Sequence, residues 1–116
     1  MIYYLATPYS LYPEGLERAF VEASRIAGIL MKRGLVVFCP IAHTHPISIY
    51  GEIEKVDHDF WLNQDIALLD RTDALLVVKM PGWDKSHGVR VEIDHAEKTG
   101  KPVSYLSWPL LEEVSK

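Results

Sequence analysis

The chain has 116 residues, 48% apolar and 24% charged, with a formal net charge of −4. That is enough for one compact domain, 1–116, with a single core, and too acidic for a surface that neutralises nucleic-acid phosphates. Cys39 is the only cysteine, which excludes an internal disulfide and points to a reducing, cytoplasmic setting, and neither a signal peptide nor a membrane span is expected.

Ile2–Ala6, IYYLA, is a continuous run of strand formers closed by TPYSLYPEG. A helical period follows, with Leu16, Ala19, Phe20, Ala23, Ile26, Ala27 and Leu30 on one side and Gly34 as a stop. LVVFCP reads as a second buried strand ended by Pro40. Residues 41–57, with His43, His45, Pro46 and Gly51, show no period and are expected to be irregular. A second helix is predicted over about 59–70, ALLVVKM as the third strand, 81–86 as a loop, and a third helix up to Thr99 before Gly100. PVSYL makes the fourth strand, and a short amphipathic tail through Trp108, Leu110, Leu111 and Val114 closes the chain.

Strands apolar on both faces, alternating with helices, predict an α/β fold. It is a single-domain, doubly wound, Rossmann- or flavodoxin-like sheet, mostly parallel, of four to five strands with helices on both faces. Ligands in such sheets bind beyond the carboxyl ends of the strands. Segments 7–15, 40–45, 80–86 and the chain from Ser107 meet there.

Two carboxylates break the helical pattern. Glu92 has Gly88 and Val89 one turn before it and Ala96 one turn after, the positions that face the sheet. Asp65 lies among Trp61, Leu62, Leu68 and Leu69. Buried carboxylates are costly, so each is either paired or kept for chemistry. Lys79 or Arg90 would pair Glu92, and Arg71 or a backbone donor would hold Asp65. Asp73, just ahead of the third strand, reads as a turn or cap residue.

Other features are less specific. Ser86 stands at an N-cap, and the helix start behind it suits an anion. PEG at 13–15 lacks the dinucleotide-binding spacing, and no cofactor is expected. The HTH at 43–45 lacks a ligand-bearing frame, so no metal is expected and His43 reads as a substrate contact. Trp83 is either a lid over a flat ligand or a packing plug.

Four features carry a resemblance: YYLATPY, NQD ahead of TDALLVV, SHGVRVEIDHA followed by GKPV, and Ser86 six residues before Glu92. Together they resemble the nucleoside 2-deoxyribosyltransferase superfamily, including the 2′-deoxynucleoside 5′-phosphate N-hydrolases, over nearly the whole chain. The resemblance implies an N-deoxyribosyltransferase-like domain in which Glu92 is the catalytic carboxylate, Tyr4 reaches it from the first strand, and Asp65 is the helix aspartate. It implies Ser86 at the 5′ end of the sugar, where transferases place a carboxylate, and Thr7, Ser10 and Gly88 among the substrate contacts. The expected substrate is a small nucleotide or nucleoside, not a nucleic acid or membrane. The expected reaction is hydrolysis of an N-glycosidic bond, with deoxyribosyl transfer, cleavage of a ribosyl dinucleotide and non-catalytic nucleotide binding as alternatives. A homodimer or higher oligomer is also implied. Pro8, Tyr9 and Ser10 replace the glycines usual after the first strand, Asp94 stands where a glycine commonly follows the glutamate, and 43–57 has no counterpart.

Overall fold

A computed structural model describes residues 1–109. Four parallel strands, β1 (Ile2–Ala6), β2 (Val36–Phe38), β3 (Ala74–Val78) and β4 (Val103–Leu106), form one sheet in the order β2-β1-β3-β4. Tyr4 pairs with Phe38 on one side and Leu75 on the other, and Leu75 pairs in turn with Val103. Central β3 is buried throughout, whereas the β4 edge has no buried residue, with Val103 and Leu106 half-buried and Ser104 and Tyr105 exposed.

Alternation of side chains along β1 and β3 splits the core into two layers. Leu5, Leu76 and Val78 face α1 (Leu16–Lys32), meeting Ala19, Ala23, Ile26 and Leu30. Tyr4, Leu75 and Val77 face the opposite layer, with Leu69 of α3 (His58–Leu69) and Val89 and Ala96 of α4 (His87–Lys98). The fold is therefore α/β and doubly wound, as expected, with four strands. The predicted α1 stripe is the face that packs. Its end is set by Gly34, whose φ of 92° suits a residue without Cβ, and Leu35 N–H reaches back to the Leu30 carbonyl.

The expectation of an irregular 41–57 is corrected. Pro40–Tyr50 forms a helix, α2, with Pro40 at its first position and Pro46 inside it. Its apolar residues surround the axis instead of forming a stripe, and Pro46 lacks the N–H an interior position should donate. Both hide the helix from a periodicity reading. It packs against α1, and Thr44 Oγ1 donates to the Pro40 carbonyl at 2.9 Å. Only 51–57 is irregular, ending where the Asp57 side chain caps Phe60 N–H.

Asp73 is the turn residue expected. Its carboxylate accepts from Ile2 N–H at 2.6 Å, and its own N–H donates to the Ile2 carbonyl. The 81–86 segment contains a short 3-10 turn at Trp83–Lys85. In the tail, Trp108 is half-buried against the α1 layer, while Leu110, Leu111 and Val114 lie outside the described residues. Among the described residues no helix is long and apolar enough to cross a membrane.

Candidate active site

From β1 the chain winds through α1 to β2 on one side, then through α2 and α3 to β3 on the other. The carboxyl ends of β1 and β3 thus flank the point where the winding reverses, the place where ligands bind in open parallel sheets. An open cavity of about 210 Å³ lies there. Its floor and one wall come from α3, the 3-10 turn and α4, and its other wall from the loop after β1 and from α2.

Glu92 and Asp65 reach this cavity from separate helices, 6% and 8% exposed. The Tyr4 hydroxyl, wholly buried, donates to Glu92 Oε2. Burial pushes Glu92 up to about 8; the Tyr4 bond opposes that shift and the nearby Asp65 charge adds to it. Burial alone raises Asp65 to about 6. Tyr4 is held well above its usual value, chiefly by burial and then by Glu92 and Asp65. An upward shift is the opposite of what pairing to Lys or Arg gives a carboxylate. The geometry agrees: Glu92 is buried and bonded to Tyr4, and among the described residues no ion pair ties it to Lys79 or Arg90. Asp65 Oδ1 and Thr7 Oγ1 are buried and have no hydrogen-bond partner among the described residues. Both residues line the cavity, so their unmet capacity is open to a ligand.

Ser86 caps α4, its Oγ accepting from Val89 N–H at 3.3 Å. Accepting that bond leaves the hydroxyl proton free to donate. Ser86, Gly88 and Ser10 all border the cavity, and a Cβ on Gly88 would meet nothing closer than Ser86 Oγ at 4.0 Å. Lys55, Lys85, His58 and His87 add cationic or proton-bearing groups to the lining, and the His58 ring meets that of His87, the first residue of α4, at 6.1 Å. Among the described residues no group of three or more His, Cys, Asp or Glu is placed to hold a metal ion.

Two expected contacts lie elsewhere. His43 is exposed, packs its ring on Phe38 at 5.6 Å, and borders a separate shallow depression with Ile47 and Phe60. On a helix it is the neighbour two positions on, His45, that turns into the cavity. Trp83 is a packing plug: its ring meets Tyr105 at 5.7 Å, Lys79 Nζ lies 6.0 Å from it, and it joins the α4-side core.

Tyr9, Thr44, His45 and Ser48 line the cavity and were not foreseen. A signal for the last three existed. Ile41, Thr44, His45 and Ser48 stand at i, i+3, i+4 and i+7, one face of a helix once 41–50 is read as helical.

The chain belongs to the family described as a domain of unknown function (DUF1937), whose model matches residues 1–108. Its structure is similar to that of a 2-deoxyribosyltransferase from the psychrotolerant bacterium Bacillus psychrosaccharolyticus, with a TM-score of 0.59 and 20% identity. The match covers 99% of this chain and 80% of that one, and at this identity it establishes a shared fold. No curated protein matches the chain.

Proposed function

We propose, for a DUF1937 chain on this fold, that it hydrolyses the N-glycosidic bond of a (deoxy)nucleoside 5′-monophosphate and releases the free base. One observation carries the reading: two buried carboxylates from separate helices, one of them held by a β1 tyrosine, share a cavity at the switch point of the sheet. Cleavage of such a bond builds positive charge at the anomeric carbon. Glu92 would stabilise that charge and capture the carbon as an ester, while Tyr4 orients it. A carboxylate buried where its charge is unwelcome gains most from an approaching cation. Asp65, with one free oxygen, would fix the sugar or protonate the departing base.

Phosphate at the 5′ position is supported by the chemistry of the other end. Ser86, Thr7 and Ser10 offer hydroxyls, and the N-terminal end of the α4 dipole favours an anion. A serine at position 86 adds no negative charge, unlike a carboxylate. The alternative, deoxyribosyl transfer between bases, is favoured by the likeness to a 2-deoxyribosyltransferase and differs only in which nucleophile attacks the ester. Exposed Ile47, Ile49, Tyr50, Val56 and Phe60 support a homodimer whose partner covers α2 and α3, and light scattering checks it.

Incubation with a panel of nucleotides and nucleosides, followed by chromatography for free base, tests the reading. Base release from deoxynucleoside monophosphates, faster than from the matching nucleosides, is expected. Binding without any base release over long incubation would leave only a nucleotide-binding domain, and base exchange exceeding hydrolysis would make it a transferase.

A further inference from the structure

The cavity wall opposite Glu92 carries a hydrogen-bonded series that the chemistry above leaves unused. Tyr9 Oη lies 2.6 Å from His45 Nδ1, and His45 Nε2 lies 3.0 Å from Glu17 Oε1. A carboxylate only accepts, so Nε2 carries a proton towards Glu17. In the neutral ring Nδ1 is then a lone pair, and the Tyr9 hydroxyl donates to it. His45 is 3% exposed and Glu17 74%. Phe20 stacks on the imidazole at 4.6 Å with the planes 22° apart, and Ser48 Oγ donates to the His45 carbonyl at 2.6 Å. The ring is thus stacked on one face and held at both nitrogens, and its backbone is tied to Ser48.

Carboxylate, imidazole and hydroxyl in this order form the relay that draws a proton from a hydroxyl and holds the resulting imidazolium. Burial and the Glu17 charge push Tyr9 up to about 12 despite Ser48, so its oxygen serves as a relay and not as a free phenolate. Tyr9, His45 and Ser48 all line the cavity that holds Glu92 and Asp65, a placement that a clamp merely joining α1 to α2 would not require.

We propose that Tyr9, backed by His45 and Glu17, is the general base that activates water in the second half of the reaction and so commits the enzyme to hydrolysis. This rests on the glycosyl-ester reading above. The water oxygen bonds to the anomeric carbon as the bond from that carbon to the Glu92 oxygen breaks, returning its electron pair to the carboxylate. The water proton passes to Tyr9 Oη while the Tyr9 proton passes to His45 Nδ1. Glu17 holds the imidazolium until it gives the proton to solvent.

The test uses the full chain and a 2′-deoxynucleoside 5′-monophosphate that the wild type turns over. Tyr9→Phe is expected to lower steady-state turnover roughly a hundredfold, while base release in the first turnover changes less than about threefold. The phosphodeoxyribosyl ester then accumulates on Glu92, visible in the mass of the acid-quenched protein. Azide needs no base to attack, so it is expected to restore turnover of Tyr9→Phe by roughly tenfold and yield the glycosyl azide. Glu17→Gln, at an exposed position, should show the same pattern more weakly. First-turnover and steady-state rates falling together, unchanged rates, or no azide rescue would each overturn the relay while base release by the wild type leaves the Glu92 reading standing. No base release by the wild type from any substrate overturns both.

Discussion

The two walls of the cavity differ in how their polar groups are held. On the α3–α4 wall, Glu92 and Asp65 are buried with their charge poorly met, and both are displaced upward, to about 8 and about 6. On the wall formed by α2 and the loop after β1, His45 is buried as deeply but satisfied at both nitrogens. Unmet charge marks a group waiting for a partner that arrives with the substrate, whereas a saturated array marks one that moves a proton without moving itself. The contrast separates roles that burial alone would merge.

The largest expected effect falls on the first wall. Glu92→Gln should cut base release by roughly a thousandfold or more while leaving the circular dichroism unchanged. Turnover near the wild-type rate would remove Glu92 from the chemistry. The same wall sets the pH dependence. Because the attacking carboxylate must be ionised, kcat/KM should rise with pH as Glu92 loses its proton near 8 and fall on the acid side. A profile flat from about pH 5 to pH 9 would contradict the assignment.

The same contrast shows what the amino-acid sequence makes legible. Glu92 and Asp65 stand out because each interrupts an apolar stripe on a helix that has one. His45 does not, because α2 has apolar residues all round and a proline at position 46, so His45 interrupts no apolar stripe, and Tyr9 lies in the loop after β1, where no period marks a side. The sheet is readable for a related reason: β1 and β3 are apolar on both faces, which only a covered parallel sheet tolerates. With 41–57 read as irregular, nothing in the sequence tells His43 from His45 by direction, and only the helix separates them. Trp83 offered a lid and a plug equally from sequence, since its partners Tyr105 and Lys79 are distant in the chain.

Smaller effects sharpen the comparison. Ser86→Asp should weaken use of nucleotides relative to nucleosides by roughly tenfold through like-charge repulsion at the α4 N-terminus. Equal losses on both substrates would remove the phosphate argument. Trp83→Ala should lower the melting temperature by several degrees, about 1–2 kcal/mol for a half-buried ring, and leave KM unchanged. A raised KM at unaltered stability would restore the lid. His43→Ala should change neither rate nor stability by more than about twofold or 0.5 kcal/mol, and a larger loss of activity would return it to the site.

The central claim is that Glu92 carries a charge its buried site disfavours. Its folded value of about 8 lies above the ordinary carboxylate value of 4.5, so its contribution to stability is full below the unfolded pKa and is lost as pH rises through about 8, where the buried group must ionise. Melting temperatures of the wild type and Glu92→Gln at pH values on either side of that window test this directly. The account predicts that the substitution stabilises the protein by about 5 °C or more near pH 9, with the gain shrinking towards pH 5. A wild type more stable than Glu92→Gln at the alkaline end would mean that Glu92 is a satisfied structural ion, and would contradict it.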